Sequence, residues 1–184
     1  NTNTTLSAVV LNAARNVDIN MVKASGTHGY VINGGAAASK LEGSNFSDSI
    51  TGNARVDTLI GNRGNDTFVG GTGADIFMPG RGNSTIQDAG NGEDIIIHDS
   101  GTSVIIRNHG TDTVTLQSSA PNAIVVADQG IRTVDASTST SSVWLNGNSA
   151  GSNKVTYIGG SSDDTIYGGI GNDALTGNAG NDTF

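Results

Sequence analysis

The chain has 184 residues, 27 of them Gly and only 2 Pro, with 35% apolar and 4% aromatic residues and a formal net charge of −8. An acidic balance of this kind repels phosphate backbones and anionic lipid, which argues against nucleic acid as a partner and in favour of cations. The sparse apolar content rules out a thick globular core, and no apolar run approaches the length of a membrane span.

The first 42 residues lie outside any strict repeat. Val17, Ile19 and Met21 alternate with polar neighbours as a half-buried strand does, whereas Leu6, Val9, Val10 and Ala13 could equally line one face of a short capping helix. Irregular β rungs are the preferred expectation for 1–42, and the stretch from His28 to Gly35, HGYVINGG, ends in a turn. The opening NTNTTLSAVV has no basic segment followed by an apolar one, so no signal peptide is visible.

From Gly43 the chain becomes periodic. GSNFSDSIT, GNARVDTLI, GNRGNDTFV and GGTGADIFM run from Gly43 to Met78 and set Asp48, Asp57, Asp66 and Asp75 nine residues apart. Glycine recurs at position one (Gly43, Gly52, Gly61, Gly70) and at position four (Gly64, Gly73), aspartate at position six, and a large apolar residue at position eight. The pattern then decays. PGRGNSTIQ has Ser84 in the aspartate slot, Asp88 is inserted, and AGNGEDIII restores the register with Asp94. Two further blocks keep Gly101 and Gly110 at position four and Ile105 and Val114 at position eight, with Asp112 at position six of the second.

Between 116 and 158 the pattern is weakest, and ADQGIRTVD puts Arg132 at position six. DASTSTSS (Asp135 to Ser142) has the composition of a linker, but the apolar VWL after it, and Tyr157 at the next position eight, favour continued rungs without metal. A second array, GGSSDDTIY, GGIGNDALT and GNAGNDTF, fills 159–184 with Asp164, Asp173 and Asp182 at position six and with Gly159, Gly168, Gly171, Gly177 and Gly180 in the glycine slots. The chain stops at position eight of a repeat, as a piece cut from a longer array would. The expected organisation is irregular rungs or a cap over 1–42, a decaying array over 43–115, a degenerate solenoid segment over 116–158 and a truncated second array over 159–184.

The blocks follow G-G-x-G-x-D-x-U-x with U apolar, and the chain thereby resembles the RTX (repeats-in-toxin) glycine-rich nonapeptide family, whose fold is a calcium-binding parallel β-roll. The resemblance implies an all-β, right-handed parallel solenoid in which two nonapeptides make one turn and aspartates eighteen residues apart become neighbours. Two carboxylates about 4.8 Å apart repel by about 3 kcal/mol at an effective dielectric of 20. Ca²⁺ between turns reverses that sign, since it takes six or more hard oxygen ligands and tolerates loose geometry. The implied pairs are Asp48 with Asp66, Asp57 with Asp75, Asp75 with Asp94, and Asp164 with Asp182. Asp66 would face Ser84 on its other side, Asp94 could face Asp112, and Asp173 would need a later repeat. In each repeat the three residues after the aspartate form a short strand whose position eight points inward, so Ile50, Leu59, Phe68, Phe77, Ile86, Ile96, Ile105 and Val114 are the expected core ladder.

Catalytic signals are poor. GNSAG (Gly147 to Gly151) fits the nucleophile elbow around Ser149, but that elbow needs a buried strand before it and a helix after it. His28, His98 and His109 are too scattered for a two-His metal pair, and adjacent His98 and Asp99 cannot form a triad. Trp144 and Tyr157 could stack on a sugar, although their position-eight registers favour core packing. The sequons at Asn45 and Asn83 are expected by chance in so Asn/Ser/Thr-rich a chain. The expectation is a non-catalytic, calcium-dependent structural module of a secreted or surface bacterial protein, a surface layer or adhesin, which the resemblance implies is exported unfolded by type I secretion. The lack of Cys suits such a route. Self-association or a cell-surface polysaccharide is the further partner to expect. The rival is a repeat module of an extracellular protease, lipase or alginate epimerase.

Overall fold

The computed structural model describes residues 10–12, 18–87, 94–98, 103–107, 113–118, 123–127 and 133–184. Leu6, Val9, Ala13, Val17, Asp88, Gly101, His109, Gly110, Asp112 and Arg132 lie outside them, while Val10, from the possible helix face, lies in a strand.

Short strands follow one another along the whole described chain: β1 Val10–Asn12, β2 Ile19–Asn20, β3 Val31–Asn33, β4 Lys40–Glu42, β5 Ser49–Ala54, β6 Thr58–Ile60, β7 Thr67–Thr72, β8 Ile76–Met78 and β9 Asn83–Gln87. They continue as β10 Asp94–His98, β11 Ser103–Arg107, β12 Thr113–Ser118, β13 Ala123–Ala127, β14 Thr133–Asp135, β15 Val143–Asn146, β16 Thr156–Ile158, β17 Thr165–Tyr167 and β18 Ala174–Thr176. Odd-numbered strands form one nine-stranded sheet and even-numbered strands a second, each in sequence order, and every pairing is parallel. Each rung thus contributes one strand to each sheet, and the chain winds as an all-β parallel solenoid of the β-roll kind.

Strands this short hold because their inward residues stack on themselves. Ile32, Leu41, Ile50, Leu59, Phe68, Phe77, Ile86, Ile96, Val134, Tyr157 and Ile166 are all fully buried, and Phe68 meets Phe77 edge-on at 6.2 Å between ring centroids. Position seven and position nine stay half-exposed through the first array, as period two requires. Pairing at eighteen residues begins before Gly43: Ile32 lies across from Ile50, and Leu41 across from Leu59.

The register changes where the aspartates thin out. Ile86 pairs with Ile106 and Thr85 with Ile105, so Ile106, and not Ile105, continues the line of Ile86. Ile96 pairs with Leu116 and Asp94 with Val114, so Asp94 is not stacked at the spacing that would have placed Asp112 beside it. Strands of one sheet here pair at twenty residues and not at eighteen, and a one-residue slip exchanges the faces of a strand. Trp144 is a second correction. It pairs with Thr165, is only partly buried and touches Tyr167 edge-on at 6.4 Å, whereas its neighbours Val143 and Leu145 are buried. Tyr157 does fill the core, with a buried hydroxyl that has no hydrogen-bond partner.

Candidate metal centre

The turns of the first array stack so that position six of one rung lies against position six of the next. The Asp48 N–H donates to Asp66 Oδ1 at 2.8 Å, and the Asp57 N–H donates to Asp75 Oδ1 at 2.8 Å. In the second array the Asp164 N–H donates to Asp182 Oδ1 at 2.9 Å, and Asp173 Oδ1 accepts from the Val155 N–H at 2.9 Å. The expected neighbours are therefore adjacent, but each carboxylate reaches back to the preceding rung's backbone and not to its side chain. The position-six carbonyls close the ladder in the other direction, Asp48 O accepting from Thr67 N and Asp57 O from Ile76 N. Ser84 takes the carboxylate's place behind Asp66, its hydroxyl accepting from the Asp66 N–H at 3.3 Å.

Two residues outside the predicted set take part. The Tyr30 N–H donates to Asp48 Oδ1 at 2.6 Å and the Ser39 N–H to Asp57 Oδ1 at 2.7 Å, each eighteen residues upstream. Gly34 and Gly35 at positions one and two, with Leu41 at position eight, were the signal that the nonapeptide register reaches back to Gly34.

The second carboxylate oxygen, Oδ2, divides the aspartates into two kinds. In the first repeat of each array it is bonded within its own turn: Asp48 Oδ2 accepts from the Ser44 N–H and Asp164 Oδ2 from the Gly160 N–H, both at 2.7 Å. In the next two repeats position two is left-handed, with φ 85° at Asn53 and 73° at Asn62. Asp57 Oδ2 and Asp66 Oδ2 are there buried with no hydrogen-bond donor. A buried carboxylate oxygen without a donor is costly, and it is oriented for something that carries positive charge.

Position-one glycine makes room for that oxygen. A methyl group at Gly52 would stand 2.6 Å from Asp57 Oδ2 and 2.7 Å from the carbonyl oxygen of Gly70 in the next rung. At Gly61 it would collide with Asp66 Oδ2 and stand 2.6 Å from the Pro79 carbonyl oxygen. Gly43 and Gly159 face Asp48 and Asp164 in the same way, and Gly168 and Gly177 face Asp173 and Asp182. Carboxylate and carbonyl oxygens thus converge rung after rung. Position-four glycines serve rung-to-rung packing instead. Gly64, Gly73 and Gly180 take φ of 119°, 136° and 122° and lie flat against the backbone of the rung before, and Gly171 packs closely against Asn153.

Among the described residues no three His, Asp or Glu side chains gather at one point, so the oxygens offered to a cation come from one or two carboxylates together with turn carbonyls. An all-oxygen, pliable set of this kind suits Ca²⁺ and offers nothing soft to a transition metal. Burial drives the Asp66 carboxyl up to about 7, the charge of Asp48 adding to the rise and the Asp48 N–H opposing it. Burial also raises Asp57, against the Ser39 N–H, and Asp164, against the N–H groups of Val143 and Gly160. Burial disfavours the bare charge at all three, and at Asp57 and Asp66, whose Oδ2 has no donor, it favours a cation there.

The family model for the RTX calcium-binding nonapeptide repeat matches the chain in four copies, over residues 51–86 and 156–184. The chain carries RTX calcium-binding repeats. Its two RTX stretches coincide with the two segments in which aspartates stack at eighteen residues, while Asp48 and Asp94 fall just outside them. No curated protein and no solved structure matches the chain. No helix among the described residues is long and apolar enough to cross a membrane. GNSAG forms a single 3-10 turn, Asn148–Ala150, after β15, and leads through a further turn into β16, so no helix follows Ser149 as a nucleophile elbow requires.

Proposed function

We propose that this calcium-binding repeat module acts as a calcium-gated fold for a secreted or cell-surface protein, a surface layer or adhesin, that is exported unfolded and sets outside the cell. The observation that carries the proposal is the pair of buried, donor-less oxygens at Asp57 and Asp66, each beside a carbonyl of the next rung. Without a cation these carboxylates work against the solenoid. With calcium bound they join consecutive rungs, and a ligand that binds only the folded state adds about 2.7 kcal/mol per site at a hundredfold excess over Kd. Millimolar calcium outside a cell and its scarcity inside make that difference a switch.

Asp57, Asp66 and Asp75 in the first array and Asp173 and Asp182 in the second would hold the metal, with position-one carbonyls completing the sphere. Asp48 and Asp164 serve as the opening turn of each array, since their own turns already supply the donors. Far-UV circular dichroism with calcium and after chelation tests the switch, and an unchanged β signal after chelation would refute it. Calorimetric titration of Asp66→Ala is expected to show a lower calcium stoichiometry than the parent, and an equal count would remove Asp66 from the site.

A further inference from the structure

The edge that stacks aspartates inside stacks arginines outside. Position three of successive rungs on that edge is Asn45, Arg63 and Arg81, and Arg63 pairs with Arg81 in a parallel bridge. Turn-to-turn hydrogen bonds hold the two in register: the Arg81 N–H donates to Asn62 O at 2.8 Å and the Gly64 N–H to Arg81 O at 2.9 Å. Each follows a left-handed residue, Asn62 or Gly80, and both arginines are exposed. The backbones of two arginines are thereby held about one strand spacing apart on a chain of net charge −8.

Among the described residues neither arginine has a carboxylate partner, and the nearby Glu42 is engaged by Lys40 at 3.7 Å and Asn20 at 2.6 Å. The arginines border a groove of about 340 Å³ whose other walls are the half-exposed Ile60 and Met78 and the amides of Asn45 and Asn62. Ile60 and Met78 lie side by side at position nine of β6 and β8, so the apolar floor runs along the solenoid axis as the arginine rim does. A bare inorganic ion would leave that floor unused. A pyranose ring carrying an oxyanion fits both, with its C–H face on Ile60 and Met78 and its charged group forked between guanidiniums.

We propose that the groove between Arg63 and Arg81 is a binding site for an acidic sugar, a carboxylate- or sulfate-bearing unit of a chain lying along the solenoid axis. The site uses the stacking of the calcium edge with the charges reversed: like-charged groups held one rung apart are relieved by a counter-charge between them.

The chain has only two methionines, Met21 and Met78, so methyl-labelled methionine reports the groove directly in the calcium-loaded protein. Titration with a hexuronate oligomer, a sulfated oligosaccharide and a neutral oligosaccharide of equal length is expected to shift the Met78 methyl resonance with at least one acidic ligand and to leave Met21 in place. Whichever acidic arm binds more tightly identifies the oxyanion. The double variant Arg63→Gln/Arg81→Gln, with unchanged circular dichroism, is expected to weaken binding at least tenfold, and Arg63→Lys/Arg81→Lys to weaken it less. A Met78 resonance unmoved by both acidic ligands, a neutral oligosaccharide that binds as tightly, or full affinity in the Gln variant would overturn the proposal.

Discussion

Removing calcium should make this protein more stable in acid than in base, the reverse of the usual behaviour of carboxylates held by salt bridges. Asp66 stands at about 7 in the calcium-free fold against an ordinary 3.8, and burial is the main cause. A group raised in this way supports the fold fully below its unfolded pKa and loses that support as pH climbs through the folded one, so the window runs from about pH 4 to about pH 7. At about 1.4 kcal/mol per pH unit the difference is about 4.5 kcal/mol, and solvent screening at the edge of the solenoid lowers it to about 2–3 kcal/mol. Asp57 and Asp164, also raised by burial, act in the same direction. Urea unfolding of calcium-stripped protein at pH 5 and pH 8, followed by circular dichroism, measures the effect directly. Asp66→Asn, which keeps an acceptor for the Asp48 N–H, should remove most of the pH dependence while leaving a remainder from the other two. Calcium-free protein that is equally stable at both pH values, or more stable at pH 8, would show that burial of these carboxylates does not oppose the fold.

Gly61→Ala should lower calcium affinity at least tenfold by calorimetry, because the new methyl stands against Asp66 Oδ2 and the Pro79 carbonyl, whereas Gly151→Ala, with φ 64° but nothing within 4 Å, should cost stability and leave affinity unchanged. Asp57→Asn should reduce the number of bound calcium ions, while Asp48→Asn should leave the count intact and lower the melting temperature of the calcium-loaded protein. Phe68→Ala should cost about 3–5 kcal/mol in chemical unfolding at saturating calcium, since it empties a fully buried rung and removes the edge contact with Phe77.

The calcium-binding arrays were legible in the sequence because two constraints coincide there. Metal-ready turns fix a rung at eighteen residues, and that length locks position eight on the inside, so Asp57 and Phe68 could each be placed from spacing alone. Between Gln87 and the second array the described residues keep parallel strand pairing and buried apolar positions, and packing accepts any turn that returns an apolar residue to the inner face. Rungs of twenty residues therefore follow, and counting by nines put Ile105 where Ile106 lines up with Ile86. Trp144 was misplaced for the same reason, its strand being entered through a serine- and threonine-rich turn whose length no ligand dictates. The split between Asp48 and Asp57 was not legible at all. It depends on whether position two turns left-handed, and Ser44 and Asn53 give little warning of that difference.

The hydrogen bonds of the aspartates give the solenoid an arrow. In both arrays, from Asp48 to Asp75 and from Asp164 to Asp182, the position-six carboxylates secure the rung before them, from Tyr30 and Ser39 through Asp48 and Asp57, and again from Val143 and Val155 to Asp164. Backbone bonds run both ways between rungs, but the side-chain bonds run one way: a rung lost from the C-terminal side takes a carboxylate acceptor from its neighbour's N–H, whereas a rung lost from the N-terminal side takes only a donor from a carboxylate. Two filaments of equal length and composition would thus fray unequally at their two ends.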